Sequence, residues 1–364
     1  MRVEVIETID DLVQRIANHP TLLPPTPMQS PQWLRAWWSA YASGGQVHAP
    51  AVYDDHGCLR GVAPWYHRES GQTARLRAIG DGPACSDHAS LLCHPRDASR
   101  VAGAIADWLL AAPADHWSQV QLEAVNSDDT AIGELADQLA QGGAPVHRRE
   151  EVGTCLIQLA PSWDEYLASV SKNHRKRCRR LVRQFFDTRR AVVKVAQDHA
   201  SRLAALELLI ELHNSRRNSI GEQGAFEDPA FVEFHRAAVA EMGSSGAVHL
   251  QTLWIDDQPV AAEYVLQDDH RAFAYQSGIS TLGEELGAGT LSLIALVRHA
   301  IDSGRTHLDL LRGDEAYKFS WGAQRKAACT LTVHRDSLTG RLGNIGVTLL
   351  ESARTAKRRL AFTA

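Results

Sequence analysis

The chain has 364 residues, of which 44 % are hydrophobic and 22 % charged, and its formal net charge is −5. Such a composition fills two ordinary domains or one large one and is too apolar for disorder. The acidic sum excludes polyanion binding through overall charge, so any basic function has to be local.

A short strand over 3–6 precedes a helix opening at Ile9-Asp10-Asp11, where the acids suit the N-terminal dipole. Pro20, Pro24, Pro25, Pro27 and Pro31 exclude a continuous helix through that stretch. Ser30-Pro31 reads as the N-cap and first residue of a second helix. Its Trp33, Leu34, Trp37, Trp38 and Tyr41 recur at helical spacing. Core packing is the usual role of such a stripe, and the wall of a cleft is the other. Residues 47–53 and 59–66 pattern as a hairpin around Asp54-Asp55-His56-Gly57. A helix over 99–112, a strand over 120–122 and a helix over 128–141 follow.

Gly142-Gly143 and Pro161 flank a strand at 155–159, which sets a boundary near 142–162. Helices are expected over 162–186, 201–218 and 229–242, the last opened by Asp228-Pro229. Strands over 247–255, 259–267 and 271–279 are divided by Asp-rich turns. A helix over 289–303, strands over 306–311 and 328–335, and a basic helix over 342–361 complete the order. The expected units are 1–150, 151–340 and the basic segment 341–364. Both halves run through helices, a meander, a helix and a further strand, without a residue-level repeat. The class is α/β (α+β), with mixed, mostly antiparallel sheets flanked by helices.

No run approaches the ~18–20 apolar residues of a membrane helix. The start MRVEVIETIDDLVQRI lacks the basic beginning and apolar middle of a signal peptide. Cys58, Cys85, Cys93, Cys155, Cys178 and Cys329 contain no CxxC pair, so reduced thiols in a cytoplasm are expected.

Four segments carry candidate chemistry. Leu286-Gly287-Ala288-Gly289-Thr290 opens a helix, where glycine lets an anion approach the backbone N–H groups; an ordinary turn is the alternative. Asp309 interrupts an apolar strand, and Arg312, Asp314, Glu315 and Lys318 crowd its end. So many charges beside an apolar strand need partners or a polar ligand. Residues 171–186 place Cys178, Leu181, Val182 and Phe185 on one helical face and Lys172, Lys176, Arg179 and Arg183 on another, with Arg175 in the same run. That run is either a solvated face or a polyanion site for carrier phosphates, a nucleotide-linked sugar or RNA. Cys85, Asp87, His88, Cys93 and His94 lie close in sequence, but their spacing fits no zinc pattern, so no metal is expected. A loop lining a cleft fits them better. No G-x-S-x-G elbow or nucleophile-type cysteine context is present.

The segment Leu308 to Ala323 resembles the GNAT-related acetyltransferases named for cellulose biosynthesis (CelD/BcsL-like), which are themselves similar to FemAB-type aminoacyl transferases. The residues that carry the likeness are Asp309, Gly313, Asp314, Tyr317, Lys318, Trp321 and Gly322. Ser30-Pro31-x-Trp33, Gly61-Val62-Ala63-Pro64, Ser86-Asp87 and the glycine-opened helix extend it along the chain. The resemblance implies two tandem GNAT-like halves, with the reaction centre in the second. It implies acyl transfer from acetyl-CoA or another acyl-CoA to an amine or hydroxyl of a small-molecule, sugar or polysaccharide-precursor acceptor. Gly287, Ala288, Gly289 and Thr290 would meet the donor phosphates. Asp314 and Glu263 are the base candidates, and Lys318 and Tyr317 the oxyanion or leaving-group donors. Arg312, Trp321, Asp87, Arg175 and Arg179 would contact substrate. Simple GNAT enzymes carry Gln/Arg-x-x-Gly-x-Gly/Ala where this chain has Leu-Gly-Ala-Gly. A tRNA-borne aminoacyl donor is therefore the alternative, and a non-catalytic binding protein of an exopolysaccharide system the third reading.

Overall fold

The computed structural model describes residues 1–70, 73–113, 116–219 and 221–335. The basic helix expected over 342–361 lies outside the described residues. The first half contains β1 (Arg2–Ile6), α1 (Ile9–Asn18), α2 (Pro31–Tyr41), β2 (Gly45–Val47), β3 (Ala49–Tyr53) and β4 (Leu59–Val62). It continues with β5 (Trp65–Ser70), β6 (Thr73–Ala78), β7 (Leu92–Cys93), α3 (Ala98–Ala111), β8 (Gln119–Asn126) and α4 (Thr130–Gln141). Ser30 caps α2 as its sequence requires, its Oγ accepting from the Trp33 amide. The expected hairpin forms between β3 and β4, but Ala63-Pro64 ends the second strand and β5 passes into another sheet. Proline cannot donate to a ladder, which is why pairing changes there.

The long β9 (Val146–Gln158) runs through residue 150 and leads to α5 (Trp163–Ser169) and α6 (Lys172–Leu181). A π-turn over Val182–Phe186, β10 (Ala191–Val195), α7 (His199–Ser219) and α8 (Pro229–Met242) come next. Then follow β11 (Val248–Ile255), β12 (Gln258–Gln267), β13 (Arg271–Ile279), α9 (Thr281–Leu286), α10 (Ala288–Asp302), β14 (His307–Arg312), α11 (Ala316–Ser320) and β15 (Gln324–His334). The expected 162–186 helix is thus broken, because Ser171 begins a new cap on the His174 amide.

Eleven strands form one sheet, in the order β10-β11-β12-β13-β14-β9-β15-β8-β6-β5-β2; β1, β3, β4 and β7 form a second. Closing strands are exchanged between the halves. β9 pairs with β14, and β15 fits between β9 and β8. The other pairs of this sheet are antiparallel except two, β6 with β8 and β13 with β14. Each parallel pair runs for three residues and then parts.

Helices α5, α6 and α10 cover one face of the β10–β14 region, and α7 and α8 cover the other. Trp33 and Trp37 of α2 are buried within the α7/α8 layer, Trp33 edge-on to Phe234 at 4.8 Å and to Tyr275 at 5.4 Å. The aromatic stripe is therefore core, and it joins the halves through shared apolar burial. The expected mixed α/β class is the one the chain adopts.

Candidate functional site

β13 and β14 pair from Arg271 opposite His307 to Phe273 opposite Asp309 and then separate. The cause lies in β14. Leu311 has φ 53°, and the Asp309 carboxylate accepts from the Leu311 amide at 2.8 Å. A non-glycine residue in that region turns the strand away from its neighbour. α10 packs on both β13 and β14, and Asp87 of the loop over 80–90 binds Arg312 at the end of β14.

Lys318 locks the bend. Its ammonium is buried and donates to the Arg312 carbonyl at 2.8 Å and the Leu311 carbonyl at 3.3 Å, with Glu315 at 3.1 Å. All three of its donors are therefore engaged. Gly313 sits at φ 133°, and a Cβ there would meet Lys318 Nζ at 2.7 Å and the Glu315 carboxylate closer still. Gly313→Ala should cost about 1–3 kcal/mol in urea denaturation and reduce activity, since strain and a displaced ammonium act together.

Glu263 on β12 lies in register between Gln251 of β11 and Ser277 of β13 and is 7 % exposed. Burial pushes its carboxyl up to about 7, opposed by a hydrogen bond with Ser292 of α10. Among the described residues no cation offsets that burial, so the group is poised between acid and base near neutral pH. Tyr317 approaches from α11. Desolvation, with the negative charges of Glu315 and Glu263, pushes its hydroxyl up to about 12. Tyr317 is more than half exposed, and its raised pKa keeps the hydroxyl protonated at neutral pH.

Asp314 is turned outward, half-exposed and paired with Arg325 at 2.7 Å. Trp321 is buried against His174, ring centroids 4.6 Å apart, and its carbonyl accepts from the Tyr166 hydroxyl at 2.7 Å. The fold uses it as the anchor of α5 and α6. Asp87 is also buried, and its carboxylate takes the Arg312 guanidinium at 2.7 Å and the Arg312 amide at 3.2 Å. Asp87 and Arg312 therefore tie the two halves together.

Gly287, at φ 75°, ends α9 and caps α10; Ala288 is buried, while Gly289 and Thr290 are partly exposed. The Thr290 amide donates to the Gly287 carbonyl. Leu181 at the end of α6 reaches within about 4 Å of the space beside Gly287. The basic run and the glycine turn are thus adjacent. Lys172, Lys176, Arg177, Arg179, Arg180 and Arg183 are exposed and Arg175 is half-buried. Among the described residues none of these seven pairs with a carboxylate.

Sequence reasoning missed the partner of Asp309. His88 bridges the halves, with Nε2 at 3.0 Å from Asp309 and Nδ1 at 2.8 Å from Asn126 of β8. Burial disfavours its charged form, but the hydrogen bond and charge of Asp309 outweigh this and raise its pKa. The polar residue inside an apolar strand was the available signal; nothing in the spacing named His88. Asp87 and His88 serve different partners and do not converge as metal ligands. An open groove of about 480 Å³ lies on the outer side of α10, lined by Phe186, Val193, Gln251 and His299 among others. None of the predicted site residues lines it. The meeting of Glu263 with Ser292 of α10 locates the candidate site better than volume does.

Residues 172–319 match the family described as acetyltransferase (GNAT) domain. No curated protein sequence matches the chain. The structure of FemX is similar over 91 % of this chain and 97 % of that one, with a TM-score of 0.64 and 12 % identity. The C-terminal domain of a putative lysylphosphatidylglycerol synthetase from Agrobacterium fabrum is similar over 94 % and 98 %, with a TM-score of 0.55 and 10 % identity. A third similar structure, L-PGS from Bacillus licheniformis, covers 86 % and 94 % with a TM-score of 0.53 and 13 % identity. At such identities the likeness is one of fold. Residues 172–319 are thus similar to a GNAT-type acetyltransferase domain, and the chain as a whole has a fold similar to that of FemX.

Proposed function

We propose that the protein is an acyltransferase of the CelD/BcsL-like kind, acting in the cytoplasm on an amine or hydroxyl of a small-molecule, sugar or polysaccharide-precursor acceptor. The observation that carries this reading is Glu263, a buried carboxyl on β12 that meets Ser292 of α10 and has its pKa moved up to about 7. Of the two base candidates it is favoured over Asp314, which is occupied by Arg325. An acceptor N–H or O–H gives its proton to Glu263 as its nitrogen or oxygen attacks the thioester carbonyl. The new C–N or C–O bond replaces the C–S bond, and Tyr317 donates to the departing sulfur. Lys318 acts by holding the bend, and its positive charge lies one carbonyl away from the opening. Gly287, Ala288, Gly289 and Thr290, with Arg175 and Arg179 alongside, would receive the phosphates of acetyl-CoA or a longer acyl-CoA.

The test is thermal stability with acetyl-CoA and with longer acyl-CoA species. A ligand at ~100 times its dissociation constant stabilises by roughly 2.7 kcal/mol. No shift with any thioester would remove this reading. One feature favours a second. Seven unpaired cations over 172–183 exceed what three CoA phosphates need, and suit the backbone of an aminoacyl-tRNA donor. Arg179→Glu with Arg180→Glu should leave stability within ~0.5 kcal/mol, because both side chains are exposed. For acyl-CoA the pair should weaken binding about tenfold. For tRNA it should also flatten the dependence of log K on log salt by about two to four ions.

A further inference from the structure

The first half holds a counterpart of the opening already described. β6 and β8 pair in parallel only from Arg75–Arg77 to Gln119–Gln121 and then part, as β13 and β14 do. The resulting crevice is bounded by Asp81 on one side and Glu123 on the other, and Arg312 reaches into it from the second half. Its enclosed space is about 20 Å³, room for one water-sized group.

Gln29 supplies an independent sign of a ligand. It lines the crevice at 3 % exposure, and its Nε2 donates to the Ser90 carbonyl at 3.0 Å. Its Oε1 is buried without a donor. A buried acceptor left unmatched costs about 1–3 kcal/mol unless something occupies the space before it. The local charge points the same way. Asp81 and Glu123 pair with Arg77, and Asp87 behind the lining pairs with Arg312, so three carboxylates stand against two guanidiniums; Asp81 also accepts from the Tyr66 hydroxyl and Glu123 from the Gln121 amide. Backbone strain also gathers here. Of the seven non-glycine residues with positive φ among the described residues, Cys85 and Ala124 line this crevice, Leu311 makes the β14 bend beside it, and His88 binds Asp309 of β14. Strain of this kind persists where surrounding structure enforces it, and it collects at ligand sites.

A donor the size of water, cationic and matched to Gln29 Oε1 and Glu123, is an ammonium group. We propose that this crevice binds the primary ammonium of the acceptor. The word acceptor rests on the acyltransferase reading; the binding does not. Arg312 connects the two places, since its side chain lines the crevice while its carbonyl holds Lys318 at 2.8 Å. An acceptor anchored here would lie one residue from the β14 bend.

The probe is methylammonium chloride, compared with sodium chloride at equal ionic strength and with tetramethylammonium chloride, in thermal unfolding of the intact chain. Methylammonium should raise Tm by about 2 °C over sodium. Tetramethylammonium, too large for the space, should not. Glu123→Gln, at a half-open position that tolerates change, and Gln29→Leu should each abolish the response. Equal effects of all three salts would mean that the crevice holds only water. A response surviving in both variants would place the ion elsewhere, and either result overturns the proposal. Acyl-CoA shifts measured on the same samples separate the two readings. Their retention with methylammonium lost sinks only this inference, and the reverse sinks only the transferase reading.

Discussion

Glu263→Gln should lower turnover by roughly 10²–10⁴-fold and, at the same time, make the protein more stable above pH 7. The two effects share one cause. Burial raises this carboxyl from 4.5 to about 7. Below about pH 4.5 both folded and unfolded chains keep the proton, and the group costs nothing differential. Between those values the folded chain holds a proton that the unfolded chain has released, so stability falls as pH rises. Above pH 7 the penalty is complete, about 3 kcal/mol by linkage. Glutamine has no proton to lose and escapes it. In the unaltered protein, rate should climb with pH through about 7 as the base is freed, and the variant should lose that limb. Turnover against pH and urea midpoints at pH 5 and pH 8 measure both. Turnover within tenfold of the original protein would end the role of Glu263 as base, whatever the stability change.

His88→Ala should destabilise by about 3–5 kcal/mol, because it leaves the Asp309 carboxylate buried and uncompensated. The pH dependence has the same sign as that of Glu263, because both folded-state values are raised, but it lies at higher pH. The folded chain raises the His88 pKa above its unfolded value near 6.5. Its contribution is therefore full below about pH 6.5 and is lost as pH rises through the raised value. Unfolding curves from pH 7.5 to 9, above the Glu263 window, should show the unaltered protein weakening further while His88→Ala stays flat. Asp309→Asn, which keeps a hydrogen-bonding group opposite the ring, should cost less. Activity should fall in both, because Asp309 also holds the Leu311 amide and so the bend that positions Arg312 and Lys318.

Local signals in the sequence read true where chemistry is local. Ser30, Ser171 and Asp228 cap helices as their neighbours require, and the β11–β13 meander follows its turns. The signals failed where a distant partner decides. β5 and β6 were not anticipated, since β5 takes its partners from β2 and β6 after the break at Pro64. β10 was hidden because its exposed valines carry no alternation that marks a face. Among site residues, Glu263 stood out as a carboxylate in an apolar strand, and Asp309 likewise. Asp314 and Trp321 looked equal to Lys318 in the motif, but one turns to Arg325 and the other into the core. Periodicity reports the face a residue occupies, while the group it meets across that face depends on tertiary pairing.

The exchange of β9 and β15 bears on how this chain is made. A nascent N-terminal portion leaves β8 with a bare hydrogen-bonding edge until residue 334 has been translated, because β15 is its missing neighbour. Cutting the gene at codon 150 severs β9 and gives each fragment an incomplete sheet. Such fragments should aggregate when produced singly and recover solubility when co-expressed, so the polypeptide matures as one indivisible assembly.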